Sequence, residues 1–141
     1  MSFPTLPKLL RWLSVAALMA VLSGGAWAQG KVVFQVSDAD AGKWNLTLNN
    51  VRNVQAELGA DKVMAEIVVY GPGIGMLTLD SPVAQRVADA LGKGVKVVAC
   101  ENTMKAKKLA QSDMLPGIGY VPAGVIELMQ KQGEGYAYIR P

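Results

Sequence analysis

The 141-residue chain has no histidine and a single cysteine, Cys100. Without histidine there is no serine–histidine or cysteine–histidine nucleophile, and the commonest zinc and copper ligand is missing, so no metal site is expected. One cysteine cannot close an internal disulfide. The fold must therefore rest on its hydrophobic core, and Cys100 is either a free thiol or an intermolecular one. Also lacking are internal repeats, blocks of like charge and low-complexity linkers, which argues for one continuous domain.

The N-terminus speaks for the compartment. Lys8 and Arg11 form a short positive region, an apolar stretch spans residues 12–22, and Ala26-Trp27-Ala28 offers small residues where a signal peptidase inspects the chain. The apolar run stops at Ser23-Gly24-Gly25, short of the ~20 residues of a membrane span, so no stable anchor is expected. The segment has no cysteine for lipidation and only one arginine, which excludes a twin-arginine signal. Residues 1–28 are thus expected to be a cleaved signal peptide and residues 29–141 a single exported, periplasmic or secreted domain. The mature part has 113 residues, within the usual size of one domain. Losing Lys8 and Arg11 takes the net charge from +3 to +1. The basic character of the precursor is then no argument for nucleic acid or an acidic membrane surface.

Periodicity in the mature region alternates between short apolar runs and helical stripes, the pattern of an α/β fold with a mostly parallel sheet of about five strands covered on both faces. Strands are predicted at 31–36, 63–70, 95–100 and 135–139, with a brief further strand near Tyr120. Helices are predicted over 43–58, from the Ser81-Pro82 start to about residue 92, from an Asn102 or Thr103 cap to about 110, and from Pro122 to about 132. The first helix places Trp44, Leu48, Val51, Val54 and Leu58 on one stripe. The run 95–100 is almost uniformly apolar, as an interior strand would be.

In open α/β sheets, sites gather beyond the carboxyl ends of the strands, where loops meet helix N-termini. Three segments fall there: residues 37–40, the glycine-rich 71–75, and 100–103. Cys100 stands out. At a helix start, unpaired N–H groups and the macrodipole favour thiolate over thiol, and Lys105, Lys107 and Lys108 add positive charge that Glu101 opposes. The competing reading is a small hydrophobe that finishes a buried strand. Gly71-Pro72-Gly73-Ile74-Gly75 lacks the endings of the nucleotide-binding loops and reads as a tight turn that lets backbone pack near Cys100. Asp38 and Asp40 read as helix caps. Trp44 and Tyr120 read as core residues.

Four segments in this order are similar to one family: Leu48-Asn49-Asn50-Val51-Arg52-Asn53, Tyr70-Gly71-Pro72-Gly73, residues 98–104 around Cys100, and residues 115–125. Together they resemble the DsrE/DsrF-like family of small sulfur-relay proteins, over essentially the whole mature chain. The resemblance implies a three-layer α/β/α sandwich, assembly into homo-oligomers (trimers or hexamers), and a cysteine after a central strand that carries sulfane sulfur as a persulfide. Cys100 takes that role, with Asn102 and Thr103 in its motif and Tyr70, Gly71 and Gly73 as candidate binding residues. The chain departs from the family at Tyr70, where members often have histidine.

Three functions remain in view. The first is a sulfur carrier or sulfurtransferase-like relay on Cys100, which needs no cofactor and takes donor and acceptor thiols as partners. The second is a non-catalytic binding module for a small anion or a protein, with Cys100 structural. The third is a redox-sensing thiol that forms an intermolecular disulfide.

Overall fold

The structure, a computed structural model, describes residues 30–141; the expected signal segment lies outside them. Five strands make one all-parallel sheet: β1 (Gly30–Val36), β2 (Val63–Val69), β3 (Lys96–Cys100), β4 (Gly119–Val121) and β5 (Ala137–Ile139), in the order β4-β3-β2-β1-β5. The helices are α1 (Ala41–Leu58), α2 (Ala84–Gly92), α3 (Glu101–Ala106) and α4 (Gly124–Gly133). This is the three-layer α/β/α sandwich that the alternating pattern predicts.

The distribution of helices follows from the direction of travel. From β1 to β4 the chain steps one way across the sheet, and α4 then carries it back over the whole sheet to pair β5 with β1. Crossovers of one hand, run in opposite directions, put their helices on opposite faces. Accordingly Phe34, Ile67 and Val97 pack with Trp44 and Leu48 of α1 and Val87 of α2. The other face has a smaller core of Val33, Val68, Val98, Val121, Leu128 and Tyr136, and α4 is the helix that supplies it.

Local chemistry sets the element ends. Asp40 caps α1, accepting from the N–H groups of Gly42 (2.7 Å) and Lys43 (3.3 Å), so the helix starts at Ala41, two residues before its predicted start. On its stripe Trp44, Leu48 and Val51 are buried, but Leu58 lies exposed in the last turn. Ser81 caps a turn rather than the helix: its hydroxyl accepts from Val83 N–H, and α2 begins only at Ala84, beyond Pro82. α3 ends at Ala106, short of the predicted residue 110. Lys108 turns into the left-handed region at φ 55°, and the bonds Leu109 N–H to Met104 carbonyl and Lys108 N–H to Lys105 carbonyl close a Schellman motif. The glycine-rich segment is not a tight turn but a 3-10 helix, Gly71–Leu77. Helix α4 begins at Gly124, two residues after Pro122.

One buried charge stands out in this frame. Glu66 of β2 is 2% exposed beneath α4, and its Oε1 has no hydrogen-bond partner. Burial pushes its carboxyl up to about 7, aided by the neighbouring Glu127 and opposed by Lys96 and Lys131. The folded chain therefore holds a proton that the unfolded chain releases near the ordinary carboxyl value of 4.5. Stability from this group is complete below that value and is lost as pH rises towards 7, by roughly 3 kcal/mol at most. Urea unfolding at pH 5 and pH 8 is expected to show this loss in the wild type and a smaller one in Glu66→Gln. An equal loss in both would remove Glu66 as its source.

Candidate functional site

Because all five strands are parallel, their carboxyl ends meet on one rim. Ser37 and Asp38 follow β1, Tyr70 follows β2, Cys100 ends β3, Pro122 follows β4 and Arg140 follows β5. The three segments singled out by position converge there. Cys100 is the residue before α3, with extended backbone (φ −76°, ψ 115°), and is 5% exposed. Side chains alternate along a strand. Val97 and Ala99 face α1 and α2, so Cys100 shares Val98's face, the one α4 covers.

That orientation brings the sulfur between two helix starts. Burial pushes the thiol up, but the Thr103 hydroxyl and the nearby backbone N–H groups at the starts of α3 and α4 together hold it below its ordinary value. Asn102 and Thr103 belong to α3, and Gly124 opens α4. Thr103 has a double role: its Oγ1 accepts from Gly71 N–H at 2.9 Å, which leaves its own proton for the sulfur. The glycine segment thus reaches Cys100 through Thr103.

Tyr70 completes the near surroundings. Burial raises its phenol, the nearby Tyr138 and Cys100 raise it further, and Arg140 and Ser37 act the other way. The phenol therefore stays protonated beside a thiolate. On the outer rim Asp38 is held low, first by the hydrogen bond from Lys43 (2.9 Å) and also by Arg140 (3.5 Å). Gln35 donates to Ser37 at 3.0 Å and accepts from the Tyr138 hydroxyl.

Of the residues singled out from the sequence, Cys100, Thr103 and Tyr70 come together. Asn102 donates its backbone N–H to the Pro122 carbonyl at 3.2 Å, and its side chain is exposed. Gly71 acts through Thr103. Gly73 packs on the end of β1, where a Cβ would lie 2.8 Å from the Val36 carbonyl oxygen, so it shapes the rim without touching sulfur. Lys105, Lys107 and Lys108 are exposed, and the groups that lower the thiol are hydroxyl and amide donors. Asp40 is a cap as predicted, whereas Asp38 is an ion-pair partner. Sequence reasoning missed Gly124. Its N–H is among the groups that lower the thiol, and a Cβ at this position would lie 2.9 Å from Tyr70 Cβ and Cδ1, so α4 packs close here. The alternation of β3 and the Pro-Ala-Gly helix start were the signals that could have found it. Arg140 and Tyr138 were missed as well, since only the return of β5 to β1 brings them to the rim. A cavity of about 150 Å³ between α1 and α2, with Arg52, Arg86 and Lys93 in its lining, shares no residue with this rim.

A parallel three-layer sandwich with a cysteine at a strand end, between two helix starts, defines a class of small thiol-bearing α/β domains. Residues 30–141 match the model of the DsrE/DsrF-like family, and the chain belongs to that family. Among solved structures it is similar to a protein of unknown function, MTH1491, from Methanobacterium thermoautotrophicum, at 38% identity and a TM-score of 0.76, covering 79% of this chain and 99% of that one. A conserved protein of unknown function, BT1422, from Bacteroides thetaiotaomicron shares the fold at 15% identity and a TM-score of 0.65, covering 84% of this chain and 100% of that one. No curated protein matches.

Thr103→Val keeps the shape of the side chain and removes both its bonds. The Cys100 thiol is expected to rise, its alkylation near neutral pH to slow several-fold, and the fold to lose on the order of 1 kcal/mol through the unpaired Gly71 N–H. Thr103→Ser should restore both. Alkylation rate against pH, with urea unfolding beside it, measures each part; an unchanged profile would take Thr103 out of the site.

Proposed function

We propose that this chain is a sulfur carrier, with Cys100 holding sulfane sulfur as a persulfide. The observation that carries this reading is the place of Cys100 at the end of β3, directly before α3 and on the face that α4 covers, where the Thr103 hydroxyl and the helix-start N–H groups hold its thiol below the ordinary value. They favour the anionic form of the residue, and the thiolate is the nucleophile. In the transfer, the Cys100 thiolate attacks the outer sulfur of a donor persulfide or thiosulfate. A new S–S bond forms on Cys100 as the donor's S–S bond breaks, and the donor leaves as its thiolate, or as sulfite. An acceptor thiolate then attacks the outer sulfur and returns Cys100 to thiolate. Electrons balance within each exchange, and no metal or nucleotide takes part. Tyr70, a protonated phenol close to the sulfur, is placed to donate a hydrogen bond to the departing group. The amino-terminal signal pattern supports an exported relay.

Cys100 is only 5% exposed, and that observation favours the second reading, a binding module in which the thiol is packed. Mass spectrometry after treatment with thiosulfate or polysulfide separates the two. The wild type is expected to gain the mass of one sulfur atom, and Cys100→Ser, which keeps a polar side chain at the helix start, to fold and gain none. A native thiol that neither alkylates nor takes up sulfur would hand the case to the binding module.

We also propose that the subunits associate. Val125, Ile126 and Met129 of α4 are each about half exposed or more, and Ile139 of the edge strand β5 is exposed as well. Supporting this, a domain of this size buries a limited share of its apolar surface alone. Light scattering of the 29–141 form should give the mass of a trimer or hexamer, and Met129→Lys should lower it. A monomer in both would remove the proposal.

A further inference from the structure

The sheet face that carries Cys100 also carries the buried Glu66. Glu66 Oε2 lies 3.4 Å from Lys96 Nζ of β3 and 3.7 Å from Lys131 Nζ of α4. The same two ammonium groups lie 3.5 and 3.8 Å from Glu127 Oε1 of α4. Four charges thus form a square, two from the sheet and two from the helix. Around it, Lys131 also pairs with Glu134 at 3.1 Å, and Lys131 and Lys31 lie over the Tyr136 ring at 5.2 and 5.8 Å. From β1 the residue paired with Glu66 is the uncharged Val33.

The square is not balanced by hydrogen bonds. Glu66 is 2% exposed, Oε1 has no partner, and the ammonium contacts to Oε2 are longer than hydrogen bonds. A buried carboxylate left in this state is costly, and a proton shared with Glu127 relieves it. The same helix that brings Glu127 and Lys131 to the square opens at Gly124, whose N–H helps to hold the Cys100 thiol low, and it covers the sheet face that Cys100 shares with Val98.

We propose that the Glu66–Glu127–Lys96–Lys131 square is a proton-operated latch on α4, which governs Cys100 through the Gly124 N–H at the start of that helix. The proposal rests on Cys100 being the reactive group, as read above. With the proton held, the two carboxyls share it and α4 is seated. With the proton released to solvent, two carboxylates face each other and Oε1 must find water. Water reaches it most readily where α4 lifts, because this face has the smaller core. A lifted α4 withdraws one donor from the sulfur, so the thiolate is less favoured. The position of Glu66's titration, pushed up to about 7 by burial and Glu127, sets the switch near neutral pH. By reciprocity, thiolate formation at Cys100 favours the seated helix and the held proton.

Two readouts on the same protein test this, in wild type, Glu66→Gln and Glu127→Gln. Hydrogen exchange of α4 amides at pH 6 and pH 8, corrected for intrinsic exchange, should show protection falling several-fold at pH 8 in the wild type and holding in both variants. Alkylation of Cys100 should rise with pH less steeply than a single ionisation in the wild type and follow a single ionisation in the variants. The same loss of α4 protection in all three proteins would overturn the latch while leaving Cys100 reactive. Loss confined to the wild type, with Cys100 inert at every pH, would instead overturn the reactive-thiol reading and with it the regulation.

Discussion

The return of the chain across the sheet is the constraint on which the rest depends. Three crossovers in one direction fill one face with α1, α2 and α3, and the single crossover back leaves the other to α4. Among the described residues α4 is the helix on that face, and it has to serve both its ends. The N–H of its first residue helps to hold the Cys100 thiol low, and its later turns bring Glu127 and Lys131 over Glu66. The two functions are coupled because one rigid element performs them.

The sulfur's surroundings show how a neutral set of groups can do the work of a charge. Among the described residues, the groups that most lower the Cys100 thiol are backbone amides and one hydroxyl. Such dipoles are fixed by the fold and need no reorganisation when negative charge appears. They also leave the site dependent on close packing. Gly124 can approach only because it lacks a Cβ where Tyr70 lies, so the tyrosine that flanks the sulfur also dictates the residue that donates to it.

Much of this architecture was legible in the sequence. The apolar runs of β1, β2 and β3 and the α1 stripe through Trp44, Leu48 and Val51 announced a parallel sheet under helices, and the strand end at Cys100 announced the rim. What was not legible came from two physical causes. Some element ends are set by geometry without a sequence mark: Lys108 ends α3 in a left-handed conformation that usually calls for glycine. Other features are long-range. Gly124, Tyr138 and Arg140 reach the rim only through α4 and β5, and no local pattern reports which strand a chain will come to lie beside. Glu66 was passed over because a lone acid within an apolar run says nothing of the helix that will cover it.

The placement of β5 has a consequence for how the molecule comes into being. The first described strand is flanked on one side by the last, Val33 lying beside Tyr138. Until the final residues arrive, β1 is an open edge, and Arg140 is not there to meet Asp38. Contacts between opposite ends of a chain are slow to form, since the loop between them must close first. A polypeptide emerging from its amino terminus would therefore leave this sheet incomplete until β5 is free to pair with β1. The same arrangement that completes the rim also makes it wait for residues 137–140.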